Sequence, residues 1–344
     1  MTTIERVSAF ENLGNVIREK TNNSSLFWEV IESAHFHNPW FTPEFCRYAI
    51  ESIAQKWLNK KSLNEWVSRY PSSYFEPKTT KNIGVVMAGN VPFVGLHDML
   101  CVLVSGHNFV GKQSSKDGDL MQGVINLLLK IEPRFSNSIS ILEGKLENFD
   151  AVIATGSNNS ARYFEYYFGK YPNIIRKNRH SIAILSGSET EEELSSLASD
   201  IFTYFGLGCR NVSKVLVPKG FDLKPLFNAF EPYKNLINHN KYANNYEYHR
   251  AIYLMNQVTH FDNGFLILKP DDGLGSPVGV LFYQHYSNLE GAISYVDSQK
   301  ESIQCVVSNN HQIPNSIPLG TTQEPKLDDY ADGIDTLEFL AKCF

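Results

Sequence analysis

Cysteine is sparse in this sequence, and its distribution already excludes several protein classes. The five cysteines, Cys46, Cys101, Cys209, Cys305 and Cys343, are odd in number, widely scattered and free of any Cys-x-x-Cys pair. A disulfide-stapled scaffold and a structural zinc site are therefore not expected, and reduced thiols in a cytoplasmic setting are. An excess of positive charge is also missing. The chain carries 31 Lys and Arg against 37 Asp and Glu, a formal net charge of −6, which argues against the basic surface of a DNA or RNA binder. Phosphorylated metabolites stay compatible with that balance, because a few backbone N–H groups and one or two cations bind them locally. Long apolar runs are absent as well. The most apolar helix candidate, 94–104, is interrupted by His97 and Asp98, and the opening residues 1–7 show no basic stretch leading into an apolar one. Neither a membrane span nor a signal peptide is expected. No repeat and no low-complexity tract occurs.

What is present is an ordinary globular composition, 42% hydrophobic and 20% charged over 344 residues, enough for two domains or one large α/β body. The first 80 or so residues read as helical. One amphipathic segment is followed by the polar cluster 21–25, read as a separating loop, and 43–70 carries apolar residues near 3.6 spacing. From Lys81 the pattern changes to short apolar strands alternating with helical periods. Strands are expected at 83–87, 108–111 and 151–154, with helices at 93–105 and 117–131 between them. This is the βαβ signature of a parallel sheet, whose ligands bind beyond the carboxyl ends of the strands, at the loops 88–92, 112–116 and 155–159. A second α/β block begins near Ser181. It has a strand at 182–185, a helix opening at the acidic run Glu189–Glu193 and reaching Phe205, and strands at 215–217, 264–268, 278–282 and 303–307, the last two separated by a helix at 287–296. The stretch 317–336, rich in Pro, Gly and Asp, reads as an ordered loop returning to the fold.

Four segments carry chemistry. Gly106–Lys112 begins like a P-loop, but Gln113 stands where Ser or Thr would hold magnesium, and 108–110 reads as strand rather than loop. No Gly-x-Gly-x-x-Gly fingerprint opens a helix. Gly206-Leu207-Gly208-Cys209-Arg210-Asn211 sets a thiol among glycines and beside a cation, a setting that raises thiolate content and lets substrate approach. Asn90, in the turn Ala88–Pro92 between strand and helix, offers an amide that stabilises an oxyanion. Thr155-Gly156-Ser157 ends a strand and opens a helix, as an N-cap or a phosphate cradle does. Taken singly, each has a plain structural reading too: a buried cysteine, a turn asparagine, a helix cap.

In this order and spacing the segments resemble the aldehyde dehydrogenase superfamily across about residues 83–310. Asn90-Val91-Pro92 is similar to its Asn-Phe-Pro turn, Lys112-Gln113-Ser114-Ser115 to its Lys-Pro-Ser-Glu cofactor segment, and Thr155-Gly156-Ser157 to its Thr-Gly-Ser turn. Gly206-Leu207-Gly208-Cys209 is similar to its Gly-Gln-x-Cys nucleophile, and Ser276-Pro277-Val278 to its later Gly-Pro-Val. Within the superfamily, 89–92, 209–214 and 329–333 resemble the long-chain acyl-CoA reductase (LuxC-type) branch. The resemblance implies a Rossmann-like cofactor domain plus an α/β catalytic domain. It implies reduction of a long-chain acyl thioester to the fatty aldehyde by NADPH through a covalent acyl-cysteine, with CoA as leaving group. Cys209 is then the nucleophile, and Asn90 with the Cys209 N–H holds the oxyanion. Lys112 and Ser115 take the adenosine ribose region, Ser157 lies near the pyrophosphate, and Ser114, Thr155, Gly156 and Pro277 complete the implied cofactor-binding set. No metal is implied.

The departures matter. Where hydrolytic relatives have Glu-Leu-Gly-Gly, this chain has Arg176-Lys177-Asn178-Arg179-His180. Gly273 falls where the glutamate of Glu-x-Phe-Gly-Pro belongs, with Asp272 one residue away, and Ala161 replaces a close-packing glycine. A proton donor is not assigned, although His180 and His249 have suggestive neighbours. The expected organisation is a helical region 1–80 packing on a cofactor domain 81–180, a catalytic domain 181–316, and a returning tail 317–344. The partner is an acyl-CoA or acyl-carrier thioester, and a homo-oligomer or a complex with an acyl-activating enzyme stays open. Two other readings remain: a cysteine-dependent acyltransferase, or a non-catalytic subunit of a fatty-acid-processing complex.

Overall fold

The computed structural model describes residues 1–20, 24–114 and 117–343. The chain separates into two compact units, Met1–Asn178 with Glu324–Phe344, and Arg179–Gln323. The expected loop at 21–25 lies mostly outside the described residues.

The first unit opens with four helices, α1 (Thr3–Glu19), α2 (Ser25–His37), α3 (Pro43–Lys56) and α4 (Lys60–Val67). Their starts follow local chemistry. Thr2 and Glu5 form a reciprocal capping box on α1, and Thr42 caps α3 with Pro43 in its first turn. A parallel sheet follows, built from β1 (Asn82–Val86), α5 (Leu96–Val104), β2 (Asn108–Lys112), α6 (Gly118–Ile131), β3 (Ile139–Leu142), β4 (Ala151–Thr155), α7 (Asn158–Phe168) and β5 (Asn173–Arg176). Strand order is β3-β2-β1-β4-β5. The P-loop-like stretch is indeed β2. The first sheet helix starts later than its apolar pattern predicts, because buried Phe93 adopts φ 59° and the chain turns before Leu96.

Helices make most of the crossovers, but β3 and β4 are joined by eight residues alone. That connection is an extended strap across the sheet, and Leu146 and Phe149 pack with Val110, Val152 and Ala154. Gly84 in β1 makes room for it. A Cβ there would lie 2.6 Å from Leu146 Cδ2, so only glycine lets the strap lie flat.

The second unit is built on a six-stranded sheet. It comprises β6 (His180–Ile184), α8 (Glu191–Phe202), β7 (Val212–Pro218), α9 (Lys224–Phe230), α10 (Asn240–Met255), β8 (Phe261–Asp262), β9 (Ile267–Pro270), β10 (Val280–Tyr286), α11 (Leu289–Ser298) and β11 (Ile303–Val307). The order is β11-β6-β7-β10-β9-β8, parallel apart from the β8–β9 pair. One face packs α8 and α9 over Val215, Val217 and Leu281, and the other packs α11 over Ile182, Ile184 and Leu216. The strand expected from Gly264 begins at Ile267, because Gly264 holds φ 92° in a turn capped by Asp262 and Asn263.

The last segment rejoins the first unit and ends, just beyond the loop expected at 317–336, in α12 (Thr336–Lys342). Polar groups fasten it. Trp57 Nε1 donates to the Pro325 carbonyl at 2.7 Å, Trp66 Nε1 donates to the Tyr330 hydroxyl at 2.8 Å, and Tyr70 donates to Asp335 at 2.7 Å. Below them, Arg176 forks onto both Asp98 oxygens at 2.7 and 2.9 Å and onto the Thr336 hydroxyl at 3.1 Å, all buried. This cluster joins the end of β5, helix α5 and the returning tail.

Candidate active site

Strand register builds the first half of the site. Val86 of β1 pairs with Lys112 on one side and Ala154 on the other, so the exits at Met87, Gln113 and Thr155 share one carboxyl edge. The strand order turns about β1 at that edge, the switch point where parallel α/β sheets receive ligands. On the same carboxyl edge, beyond β2 and β3, a cleft of about 530 Å³ is lined by Lys112, Gln113, Ser114, Asp117, Asp119 and Glu143 with His37 and Phe41. His37 Nδ1 pairs with Asp119 at 2.7 Å. Burial, aided by Asp119, holds the Asp117 carboxyl well above the usual carboxylate range, which lowers its share of the negative charge. Ser115 lies outside the described residues.

At β4, Ser157 is the N-cap of α7, its Oγ accepting from the Ser160 N–H at 3.2 Å. Thr155 is the last residue of the strand. Gly156 is sterically required: a Cβ would come within 2.8 Å of Ser160 Cβ and 2.9 Å of the Phe164 ring. The close approach of helix to strand therefore falls at Gly156, and Ala161 is simply buried one turn on. Asn90 sits exposed in the turn leaving β1.

The second unit carries Cys209 on an unusual turn. After α8 the chain holds three consecutive left-handed residues, Tyr204 (φ 53°), Phe205 (φ 57°) and Gly206 (φ 76°). Each non-glycine residue there costs about 1–2 kcal/mol, so the surroundings must hold the shape. That run also ends α8 at Phe202, three residues short of its apolar pattern. The Phe205 ring lies 4.3 Å from His239, and Asn211 does the rest. Its buried amide donates to the carbonyls of Asp200 (3.0 Å) and Thr203 (2.8 Å), and its Oδ1 accepts from the Gly208 N–H at 2.9 Å. Asp200 in turn receives the Gly320 and Thr322 N–H groups, and Arg210 Nε donates to the Thr322 carbonyl. The Cys209 carbonyl accepts from Ser181 Oγ at 2.9 Å. Cys209 is half-buried, whereas burial pushes Cys46 up to about 12, Cys101 well above its ordinary value, and Cys343 upward. Those three thiols are poor nucleophiles near neutral pH.

Replacing Asn211 with alanine should destabilise the protein by about 3 kcal/mol, because several buried groups lose their partners at once. Urea unfolding measures it. Asn211→Asp, which keeps the shape but turns an acceptor toward the helix-end carbonyls, should be no milder; a change within 0.5 kcal/mol, on the order of an ordinary surface substitution, would refute the role.

Pro277 is placed beside this turn. Ser276, Pro277, Val278 and Gly279 line a small cavity of about 20 Å³ together with Phe205, Gly206 and Ser213. The expected residues thus divide between the units. Asn90, Lys112, Ser114, Thr155, Gly156 and Ser157 belong to the first, on one sheet edge, and Cys209 and Pro277 belong to the second. His180 lies against the Gly275 backbone, where a Cβ would come 2.2 Å from its ring, and burial lowers its pKa. Burial likewise lowers that of His249. Asn211, Ser181 and the Asp98–Arg176–Thr336 cluster are absent from the sequence-based site. Asn211 and Arg176 enter the sequence reading only as members of the segments 206–211 and 176–180, and Asp98 and Ser181 only as polar residues beside apolar runs.

The two α/β units, one on a fully parallel sheet and one on a sheet parallel but for its β8–β9 pair, match the aldehyde dehydrogenase fold. The fold is similar to an aldehyde dehydrogenase from Physcomitrella patens solved with the reaction product succinate (TM-score 0.71, 13% identity, 99% of this chain and 84% of that one). It is also similar to lactaldehyde dehydrogenase from Escherichia coli (0.60, 15%, 91% and 76%) and to NADP-dependent glyceraldehyde-3-phosphate dehydrogenase from Bacillus halodurans complexed with NADP (0.62, 13%, 89% and 74%). Identities this low speak for the fold alone. No curated protein matches the chain at a significant level. The sequence profile of the acyl-CoA reductase (LuxC) family matches residues 42–225, over half of the chain, and the chain belongs to that family. It is an oxidoreductase of the aldehyde dehydrogenase and LuxC type. Among the described residues, no helix is long and apolar enough to cross a membrane, and no group of three or more His, Cys, Asp or Glu is arranged to hold a metal.

Proposed function

We propose that the protein reduces a long-chain fatty acyl-CoA, or an equivalent acyl-carrier thioester, to the aldehyde with NADPH through an acyl-Cys209 intermediate. The observation that carries this reading is the placement of half-buried Cys209 three residues beyond the left-handed run Tyr204–Gly206, in a loop held by Asn211, in a chain of the acyl-CoA reductase family. The Cys209 thiolate attacks the thioester carbonyl, the C–S bond to CoA breaks, and CoA leaves as its thiolate. The Asn90 amide and the Cys209 N–H are the donors proposed for the oxyanion. When bound, NADPH supplies the hydride that takes the acyl-cysteine to a thiohemiacetal, whose collapse frees the aldehyde and the thiol. The residues of the first unit fit such a dinucleotide: a switch-point edge, a cleft lined by Lys112 and Ser114, and the α7 N-terminus capped at Ser157 for a phosphate. Acyl-CoA-dependent NADPH oxidation with aldehyde formation tests the proposal. An acyltransferase or an idle subunit would consume no NADPH.

Cofactor choice follows from charge. Ser115 replaces the glutamate that repels a 2′-phosphate in the similar Lys-Pro-Ser-Glu segment, and Lys112 is close in sequence. Glu143 and Asp119 line the same cleft as Lys112 and work in the opposite direction, with Lys112 offsetting them. NADPH should be preferred to NADH by at least about tenfold in kcat/KM, equivalent to roughly 1.4 kcal/mol. Ser115→Glu should shift preference toward NADH, and Glu143→Gln should widen it toward NADPH. Equal or better kcat/KM with NADH in the unmodified enzyme would show that the carboxylates dominate.

A further inference from the structure

Lys214 lies five residues beyond Cys209 on β7, and its side chain is fully buried beneath α11. Nζ donates to the Asp272 carbonyl at 3.1 Å and to the Tyr295 hydroxyl of α11 at 2.9 Å, and it stands 4.7 Å from the centre of the Tyr295 ring. Tyr295 itself donates to the same Asp272 carbonyl at 3.2 Å. Hydroxyl and carbonyl would therefore satisfy each other without the lysine. Desolvating an ammonium is costly, and an apolar side chain of similar length would fill this place and leave no orphaned group. Packing does not call for a lysine here. What the ammonium adds is a charge-assisted grip on the Asp272 carbonyl.

Asp272 belongs to the loop 271–279, which joins the parallel neighbours β9 and β10 and must return from the carboxyl end of one to the amino end of the other. Its route is fixed step by step. Leu274 packs against the cluster of Ile182, Ile184 and Leu216, and its carbonyl accepts from Ser213 Oγ at 2.7 Å. Gly275 lies against the His180 ring, where a Cβ would come within 2.2 Å of it. Residues 276–279 then share a cavity with Phe205, Gly206 and Val212, and Phe205 and Gly206 belong to the left-handed run that leads to Cys209. A second connection passes through two serines. The Ser213 hydroxyl also lies 3.4 Å from the Ser181 carbonyl, and Ser181 Oγ donates to the Cys209 carbonyl at 2.9 Å. The loop thus adjoins the cysteine turn at two points, across the cavity at Phe205 and Gly206 and through Ser213 and Ser181 at Cys209.

We propose that Lys214 is a positioning residue for Cys209: by holding the Asp272 carbonyl it fixes loop 271–279 as the support of the turn 204–209, and so keeps the thiol in place for attack on the acyl carbonyl. The inference rests on the reductase reading above for the step it affects, acylation of Cys209. The placement of the turn itself is independent of that reading. Lys214 acts through the loop, so its loss slows acylation without removing a group that binds the acyl donor.

The test mixes the full-length enzyme rapidly with hexadecanoyl-CoA in the absence of NADPH and follows CoA release. In Lys214→Met the rate constant of the burst should fall by at least about tenfold, the order expected when a nucleophile is slightly misplaced. The burst should still amount to about one CoA per active site, and the acyl-CoA concentration giving half the maximal rate should stay within about twofold. The thermal transition should be unchanged or raised, because a buried charge is removed and no partner is orphaned. Amide hydrogen exchange should quicken in two segments together, 271–279 and 204–211. Tyr295→Phe leaves the lysine on the carbonyl, so it should lower the same rate constant by a smaller factor, and it keeps the assay alive should Lys214→Met fail to fold. A burst rate within about twofold of the unmodified enzyme in both variants overturns the proposal. Faster exchange confined to 271–279 overturns it too, since the loop would then not support the turn, and so does a burst lost in parallel with thermal stability, which marks a general packing role. If the unmodified enzyme releases no CoA, the reductase reading fails on its own, and exchange at 204–211 in Lys214→Met still decides whether Lys214 holds the turn.

Discussion

Replacing Cys209 with alanine should abolish aldehyde formation, lowering turnover by at least about 10³-fold, while NADPH binding should be largely kept. The expectation rests on position and on the competing thiols. Cys209 is half-buried in the turn that follows the left-handed run Tyr204–Gly206, a turn held by Asn211 at the Gly208 N–H and by Ser181 at the Cys209 carbonyl. Cys46 and Cys101 are fully buried in the first unit, with pKa values driven upward by burial, and burial raises Cys343 too. Cys305, whose sulfur lies 2.9 Å from Ser181 Oγ, is the informative control. Cys305→Ala should retain most activity, because Ser181 keeps its bond to the Cys209 carbonyl. Substantial aldehyde production by Cys209→Ala, measured by gas chromatography of the product, would remove Cys209 from the mechanism.

Acyl-CoA mixed with the enzyme in the absence of NADPH should release about one equivalent of CoA per active site and then stop. Deacylation by water needs a base, and such assistance is typically worth about 10² to 10⁴ in rate. The exit of β5, where hydrolytic relatives carry their glutamate, offers none here. Arg176 is buried and engaged with Asp98 and Thr336, and Lys177 pairs with Glu165 at 2.8 Å, which occupies the nearby carboxylate of α7. Intact-mass measurement should find the acyl group on Cys209, and added NADPH should discharge it as aldehyde. Steady CoA release without NADPH would reveal a thioesterase and a base elsewhere in the molecule.

The periodicity of the chain conveys its layers because strand and helix patterns are local. The run from Ile83 to Ile131 reads as strand and helix in alternation, whereas β3 at 139–142 goes unread, and β11 coincides with its apolar pattern at 303–307. Elements without a clean pattern escape such a reading. Short β5, in Asn-Ile-Ile-Arg, is too brief to stand out, and α10 is rich in Asn and Tyr with little apolar asymmetry. Helix ends shift where the backbone does something unusual, as at Phe93 and at Tyr204–Gly206, since a positive φ at an aromatic residue has no local signature and is imposed by packing.

By itself the sequence determined the alternation of strands and helices, the segments that resemble the acyl-CoA reductase family, and the identity of the reactive thiol candidate, all properties of residue type and spacing along the chain. Only the tertiary structure decided what holds them. Asn211 gathers carbonyls from Asp200 and Thr203, Arg176 meets Asp98 and Thr336 across 78 and 160 residues, and Lys214 reaches a loop 58 residues on. Buried polar groups find their partners wherever the folded chain brings a matching donor or acceptor, and distance along the sequence carries no record of that choice.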